Sequence, residues 1–125
     1  MEAQKLPGGS AFARVFDDGH SVAGRLLVLY AHPGGPGPAR VGFAVGKRLG
    51  GAVVRNRVRR RMREAFRAIM GTVTGVDLVF VARGRALNAS HRELLSEMRS
   101  LLVRISELLS ESRDFDLMKV DIEGM

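Results

Sequence analysis

The chain has 125 residues, 46% of them hydrophobic, no cysteine and a formal net charge of +7. That length suits one domain with one packed core, and the missing cysteine excludes disulfides, thiolate nucleophiles and cysteine metal sites. His20, His32 and His91 never recur at i,i+4 as a helical zinc motif requires; no apolar run approaches the roughly 20 residues of a membrane span and Met1–Ser10 has no apolar export signal, so a cytoplasmic protein is expected.

Residues 1–9 end in Pro7-Gly8-Gly9 and read as a flexible arm. Ser10 then offers an N-cap, Phe12, Val15 and Phe16 recur at helical spacing, and Gly19 offers a stop, which predicts a helix over about 10–18. Val22 to Ala31 alternates and is aliphatic, the pattern of a strand. His32 to Pro38 is loop by composition. Arg40 to Val45 alternates again and is predicted to pair with the first strand as a hairpin. After Gly50-Gly51 a helix is predicted over about 53–70, with Val58, Met62, Ala65, Phe66 and Ile69 as its apolar stripe. Gly71 to Gly75 breaks it, and Val76 to Ala82 reads as a buried strand. Ser90 with Glu93 forms a capping box before a helix over about 91–109, whose stripe comprises Leu94, Leu95, Met98, Leu101, Leu102, Ile105, Leu108 and Leu109. The domain is thus 10–109, followed by an acidic tail, 110–125, expected to be frayed. The element order αββαβα makes an α+β fold: a small mixed sheet of three or four strands with helices packed on it, and a βαβ-like crossover through the middle helix.

Charge is concentrated in one stretch. Lys47, Arg48, Arg55, Arg57, Arg59, Arg60, Arg61, Arg63 and Arg67 face one acid, Glu64, giving that segment +8, so the remainder sums to −1. One face of the domain should therefore hold almost all the positive field, which suits a polyanion. At 100° per residue, Asn56, Arg59, Arg60, Arg63 and Arg67 share an arc of about 100°, centred roughly 140° from the apolar stripe. Like charges at i,i+4 cost a few tenths of a kcal/mol per pair in an isolated helix, a repulsion that a bound polyanion relieves. A solvated basic face without a partner is the plain alternative. A membrane-surface helix is disfavoured, because the apolar stripe is needed for the core.

The stretch Val45-Gly46-Lys47-Arg48-Leu49-Gly50-Gly51-Ala52-Val53-Val54-Arg55-Asn56-Arg57-Val58-Arg59-Arg60-Arg61-Met62-Arg63-Glu64-Ala65-Phe66-Arg67 resembles the bacterial ribonuclease P protein subunit, with its basic pair, glycine, Ala-Val, Arg-Asn-Arg and basic helix. Phe12-x-x-x-Phe16, Val28-Leu29-Tyr30 and Val79-Phe80-Val81-Ala82-Arg83 extend the resemblance over about residues 5–108. It implies the small partner of a catalytic RNA that removes the 5′ leader of precursor tRNA. It further implies catalytic Mg²⁺ held mainly by the RNA partner and substrate, no metal bound by the protein alone, a monomer when free, no membrane, and a left-handed crossover against the general rule. By the same resemblance Lys47, Arg48, Arg55, Asn56, Arg57, Arg59, Arg60, Arg63 and Arg67 face RNA, and Phe12, Phe16 and Tyr30, with Arg59 and Arg63, form the leader cleft. On spacing alone Phe12 and Phe16 read as core packing. Two departures are the short basic arm, reduced to Lys5-Leu6, and the acidic tail after Glu107, where six acids meet two bases.

Hydrolytic chemistry within the chain has little support. No Ser-His-Asp set stands out. Asp17-Asp18, adjacent acids at a helix end, read as solvated more readily than as a metal pair. Gly46-Lys47 and Gly50-Gly51 lack the spacing of a phosphate-binding loop. The expected role is that of a subunit of an endonuclease whose catalytic centre lies in RNA, with a non-enzymatic RNA-binding protein of ribosomal or ribosome-assembly type as the alternative and a protein-only nuclease behind it.

Overall fold

The computed structural model describes residues 4–125. Its strands are β1 (Gln4–Lys5), β2 (His20–Ala23), β3 (Leu27–Pro38), β4 (Arg40–Ala44), β5 (Val73–Ala82) and β6 (Lys119–Val120), and its helices are α1 (Gly8–Asp18), α2 (Ala52–Arg67) and α3 (His91–Leu109). Eight of the ten residues of β5 are buried, and the sheet is arranged around it in the order β1-β4-β5-β3-β2, with β6 also pairing β5. β4 runs parallel to β5, with α2 between them in the chain, which gives the predicted crossover; β3 runs antiparallel to β5. The four longer strands make the expected mixed sheet, and two-residue strands extend it.

The predicted β3–β4 hairpin does not form, because β5 lies between them. The chain turns at Ala39, whose N–H donates to Val73 O at 3.1 Å, and passes the start of β5 to its other side. A strand this apolar is satisfied only with both faces covered and neighbours on both sides, and the hairpin would have put it at an edge. The predicted 22–31 strand is really two, β2 and β3, joined by a turn at Gly24–Leu26, with Val22 opposite Leu29. Nor is His32–Pro38 a loop: it continues β3 against Val76 and Thr74 through a register shift. Gly75, at φ +74, takes up that irregularity in a conformation that side chains other than glycine's rarely adopt.

Alternation along the strands divides the core in two. Leu27, Leu29, Leu78 and Phe80 face α2 and α3, meeting Val58, Met62 and Phe66 of one and Leu94, Met98, Leu101 and Ile105 of the other. Val79 points to the opposite face, where α1 covers it with Ala11 and Val15, joined by Leu6. α3 starts on the predicted capping box: Glu93 N–H donates to Ser90 Oγ (3.1 Å) and Ser90 N–H to Glu93 Oε1 (2.9 Å). The Ser90 backbone N–H, and then its side chain, hold the Glu93 carboxyl below the usual carboxylate range. Of its predicted stripe, Leu108 is 59% exposed instead of buried. α2 ends at Arg67, ahead of the predicted 70; Ile69 leaves helical geometry and buries itself in the core.

Residues 1–3 of the predicted arm lie outside the described residues, but its remainder and the tail both pack onto the domain. From Gln4 on, the arm is a strand paired with Arg40 and Val41, and Leu6 is 1% exposed. α1 begins at Gly8, with Pro7 rather than Ser10 preceding it and no side-chain cap. The acidic tail folds back: Phe115 is buried against the core, His20 stacks edge-on to it at 5.6 Å, and Asp121 N–H donates to Thr72 O at 2.7 Å. One apolar anchor and a short strand fix a segment whose charge alone reads as solvated.

Candidate nucleic-acid interface

Four apolar side chains of α2, Val58, Met62, Ala65 and Phe66, are buried and set the rotation of the helix on the sheet. Asn56, Arg57, Arg60, Arg63 and Arg67 are consequently exposed, and Arg55 and Arg59 half-buried. Lys47 and Arg48 stand exposed on the short turn Lys47–Leu49 that leads into the helix. Arg59 donates to the side-chain oxygen of Asn56. Arg61 turns inward and donates to Leu87 O at 3.1 Å, so it ties the helix to the fold. Among the described residues the one ion pair is Arg40–Asp77; none of the nine cations from Lys47 to Arg67 has a carboxylate within reach. Arg61 aside, their field is therefore directed outward.

Arg40–Asp77 itself is structural. The two residues stand opposite each other on β4 and β5. Arg40 Nε and Nη2 donate to the two Asp77 oxygens at 2.8 and 2.5 Å, a bidentate pair that satisfies a carboxylate only 4% exposed at the heart of the sheet. Hydrogen bonding to Asp77 raises the Arg40 guanidinium above its ordinary range against the opposing effect of burial.

Beside α2 runs a groove of about 770 Å³. Arg59, Arg63 and Arg67 form one wall, Phe12 and Lys5 the other, and Val41, Gly42 and Phe43 of β4 the floor. Gly42 is a requirement of this floor. A Cβ there would lie 2.3 Å from the Phe12 ring, so any larger residue would force the ring to move. From Phe12 the aromatic surface continues away from the groove: Phe12 to Phe16 at 6.4 Å, and Phe16 to Tyr30 edge-on at 5.0 Å. Phe16 is 38% exposed, while Phe12 and Tyr30 are half-buried. α1 is held by Ala11 and Val15 instead, so the core-packing reading of the two phenylalanines is at best half right.

The structure thus brings Phe12, Arg59, Arg63 and Arg67 into one groove, with Phe16 and Tyr30 continuing its aromatic wall. Lys47, Arg48, Arg55, Asn56, Arg57 and Arg60 lie outside it, along α2 and the turn before it. Gly42 is a functional candidate missed in the sequence, and Lys5, noted there only as the remnant of a basic arm, lines the groove. Lys5 belongs to a strand too short for any periodicity; Gly42 carried a signal, a glycine on the face of the strand opposite Val41, Phe43 and Val45. Asp17 and Asp18 are exposed at the end of α1.

The expectation of a single positive face needs correction. Arg25, Arg83, Arg85 and Arg104, far apart in the chain, converge on a second cleft together with Glu97. Counting charge along the sequence cannot detect such a cluster, because it is assembled by the β2–β3 turn, the end of β5 and α3.

A family model described as Ribonuclease P matches residues 1–106. The ribonuclease P protein component of Thermoanaerobacter sp. (strain X514) is 40% identical over 101 residues, 80% of this chain and 87% of that protein. That of Symbiobacterium thermophilum is 41% identical over 112 residues, 88% and 97% of the two chains. Among solved structures, the RNase P protein from Thermotoga maritima superposes with a TM-score of 0.70 at 26% identity, covering 83% of this chain and 97% of that one. The Staphylococcus aureus RNase P protein gives 0.69 at 26%, covering 92% and 100%.

Replacing Gly42 by valine should displace Phe12 and lower the unfolding free energy by about 1–3 kcal/mol. Gly46→Val, where nothing lies within 4 Å of the added carbon, should change it by less than about 0.5 kcal/mol. Chemical denaturation of the two variants side by side checks the seat; equal stabilities would show that the ring does not depend on Gly42.

Proposed function

The chain belongs to the ribonuclease P protein family, and on that premise we propose which of its surfaces meet which RNA. It is the protein subunit of that endoribonuclease, which in our reading is a cytoplasmic enzyme whose catalytic centre lies in its RNA. Lys47, Arg48, Arg55, Asn56, Arg57 and Arg60 seat the subunit on the catalytic RNA. The groove of Phe12, Arg59, Arg63 and Arg67, with Phe16 and Tyr30 beyond it, holds the 5′ leader of precursor tRNA. The observation that carries this reading is a groove that sets arginines without a carboxylate partner beside Phe12, from which a partly exposed aromatic row leads on through Phe16 to Tyr30. A splayed single strand is held in that way, phosphates on the cationic wall and bases on rings. A ribosomal or ribosome-assembly role is not favoured, since the family and the relatives named above are ribonuclease P proteins.

Catalytic Mg²⁺ in this proposal belongs to the RNA partner and substrate. The donor set of the groove agrees: its polar lining residues are Lys5, Arg59, Arg63 and Arg67, cations that bind phosphate and repel a metal ion. Reconstitution tests the proposal: the chain, a bacterial ribonuclease P RNA, Mg²⁺ and labelled precursor tRNA at physiological salt. Stimulated 5′ cleavage is expected; binding without stimulation, or cleavage without added RNA, would overturn it.

Two variant series divide the surfaces. If each arginine neutralises one phosphate, Arg57→Ala should lower the slope of log K against log salt for the catalytic RNA by about one, within a total on the order of −5 to −8. An unchanged slope would remove Arg57 from the interface. Phe16→Ala and Tyr30→Ala should each weaken holoenzyme binding of leader-bearing precursor by roughly 5- to 100-fold, the equivalent of one lost base stack, while mature tRNA binds as before. Equal losses on both RNAs would refute the leader groove.

A further inference from the structure

The turn joining β2 to β3 is clamped from both sides. Glu97, reaching from α3, accepts backbone N–H groups of Arg25, Leu26 and Leu27 at 3.1, 2.7 and 2.6 Å. In the opposite sense, Arg83 Nη1 donates to Gly24 O and Arg104 Nη1 to Ala23 O, each at 3.0 Å. The carboxylate is thus satisfied by peptide dipoles and forms no ion pair with the guanidiniums beside it. Arg83 and Arg104 each use one of five N–H donors. The Arg25 and Arg85 side chains use none on the fold, and all four arginines are exposed. Together with Glu97 they give the rim of a cleft of about 830 Å³ a formal charge of +3 (four cations, one anion).

This chemistry selects phosphate. Guanidinium forks bind phosphate oxygens in bidentate fashion. No aromatic side chain lines the cleft, so it has no platform for bases and would read a backbone. Its position selects the source. β4 and β5 are parallel, so the turn Lys47–Leu49 after one and Gly84–Asn88 after the other leave the same end of the sheet. A Cβ on Gly84 would sit 3.9 Å from the Leu49 side chain. The arginine cleft therefore continues the rim that carries Lys47, Arg48 and the start of α2, and it lies on the α3 side, apart from the Phe12 groove.

We propose that Arg25, Arg83, Arg85 and Arg104 form a second phosphate site, which takes the backbone of the catalytic RNA where that RNA passes beyond α2. The proposal rests on the reading of the chain as the ribonuclease P subunit. Because Arg83 and Arg104 also hold the turn, the test uses R25A/R85A, whose side chains make no hydrogen bond to the fold, with its thermal unfolding compared to that of the unaltered chain.

Salt-titrated binding to a bacterial ribonuclease P RNA should show the slope of log K against log salt reduced by about two, and affinity near physiological salt reduced roughly 10- to 50-fold. The charge-conserving R25K/R85K should keep the slope. Unaltered protein that fails to bind this RNA would overturn the functional reading and this site with it. Unaltered protein that binds, with an R25A/R85A variant of the same slope and affinity, would overturn the second site alone. So would a loss confined to precursor tRNA added to preformed holoenzyme, since the site is assigned to the catalytic RNA.

Discussion

The contact of α2 with the sheet through Val58, Met62, Ala65 and Phe66 decides where the positive charge of this protein goes. Those four side chains admit one rotation of the helix, and that rotation turns its arginines outward. The same packing places Phe66 against Phe43 at 6.1 Å and Phe80 at 5.6 Å, so the floor of the groove and the helix above it share one aromatic core. A cavity under α2 would therefore loosen the cationic wall as well as the fold. Burial of an aromatic such as Phe66 contributes about 3 kcal/mol or more, far more than the repulsion among the arginines it holds in place.

Two kinds of surface chemistry are kept apart. Along α2 and the turn before it, charge is unaccompanied by aromatic rings and suits a folded RNA met through its phosphates. Across the groove and over α1, rings accompany charge and suit a strand whose bases are free to stack. Gly42 links the two halves of the second surface: by having no side chain it lets a residue of α1 lie across β4 and face arginines of α2.

What could be read from the sequence was what repeats locally. α3 begins at its capping box and ends at Leu109 as predicted, and the apolar stripe of α2 and the burial of β5 follow from periodicity and composition. The Arg-Asn-Arg stretch carried the family because its residues are contiguous. What stayed hidden depends on partners far along the chain. The turn at Gly24–Leu26 is stabilised by Glu97, about seventy positions away, so Val22–Ala31 looked like one strand. The insertion of β5 between β3 and β4 replaced a hairpin that adjacency in sequence favours. Phe12 and Phe16 have core-like spacing, yet it is Val15 that fills the core, and only the sheet beneath could show this. The second arginine cluster escaped for the same reason: residues at 25, 83, 85 and 104 have no common neighbourhood until the fold provides one.

The docking of the C-terminal tail has a consequence for how the molecule moves toward its partner. β6 pairs with Val73 and Thr74, at the opposite end of β5 from Arg83, a separation of about 30 Å along a ten-residue strand. The residues from Glu107 onward carry a formal −4, and they are pinned near that pole. The arginine rim at the Arg83 end of β5 is thereby kept apart from the acidic tail at the Val73 end, toward which α2 brings only its last arginines, and the field of an RNA would exert a torque on such a molecule before contact. It would arrive already turned, arginine rim leading and tail trailing, with fewer unproductive collisions than an evenly charged sphere of the same size.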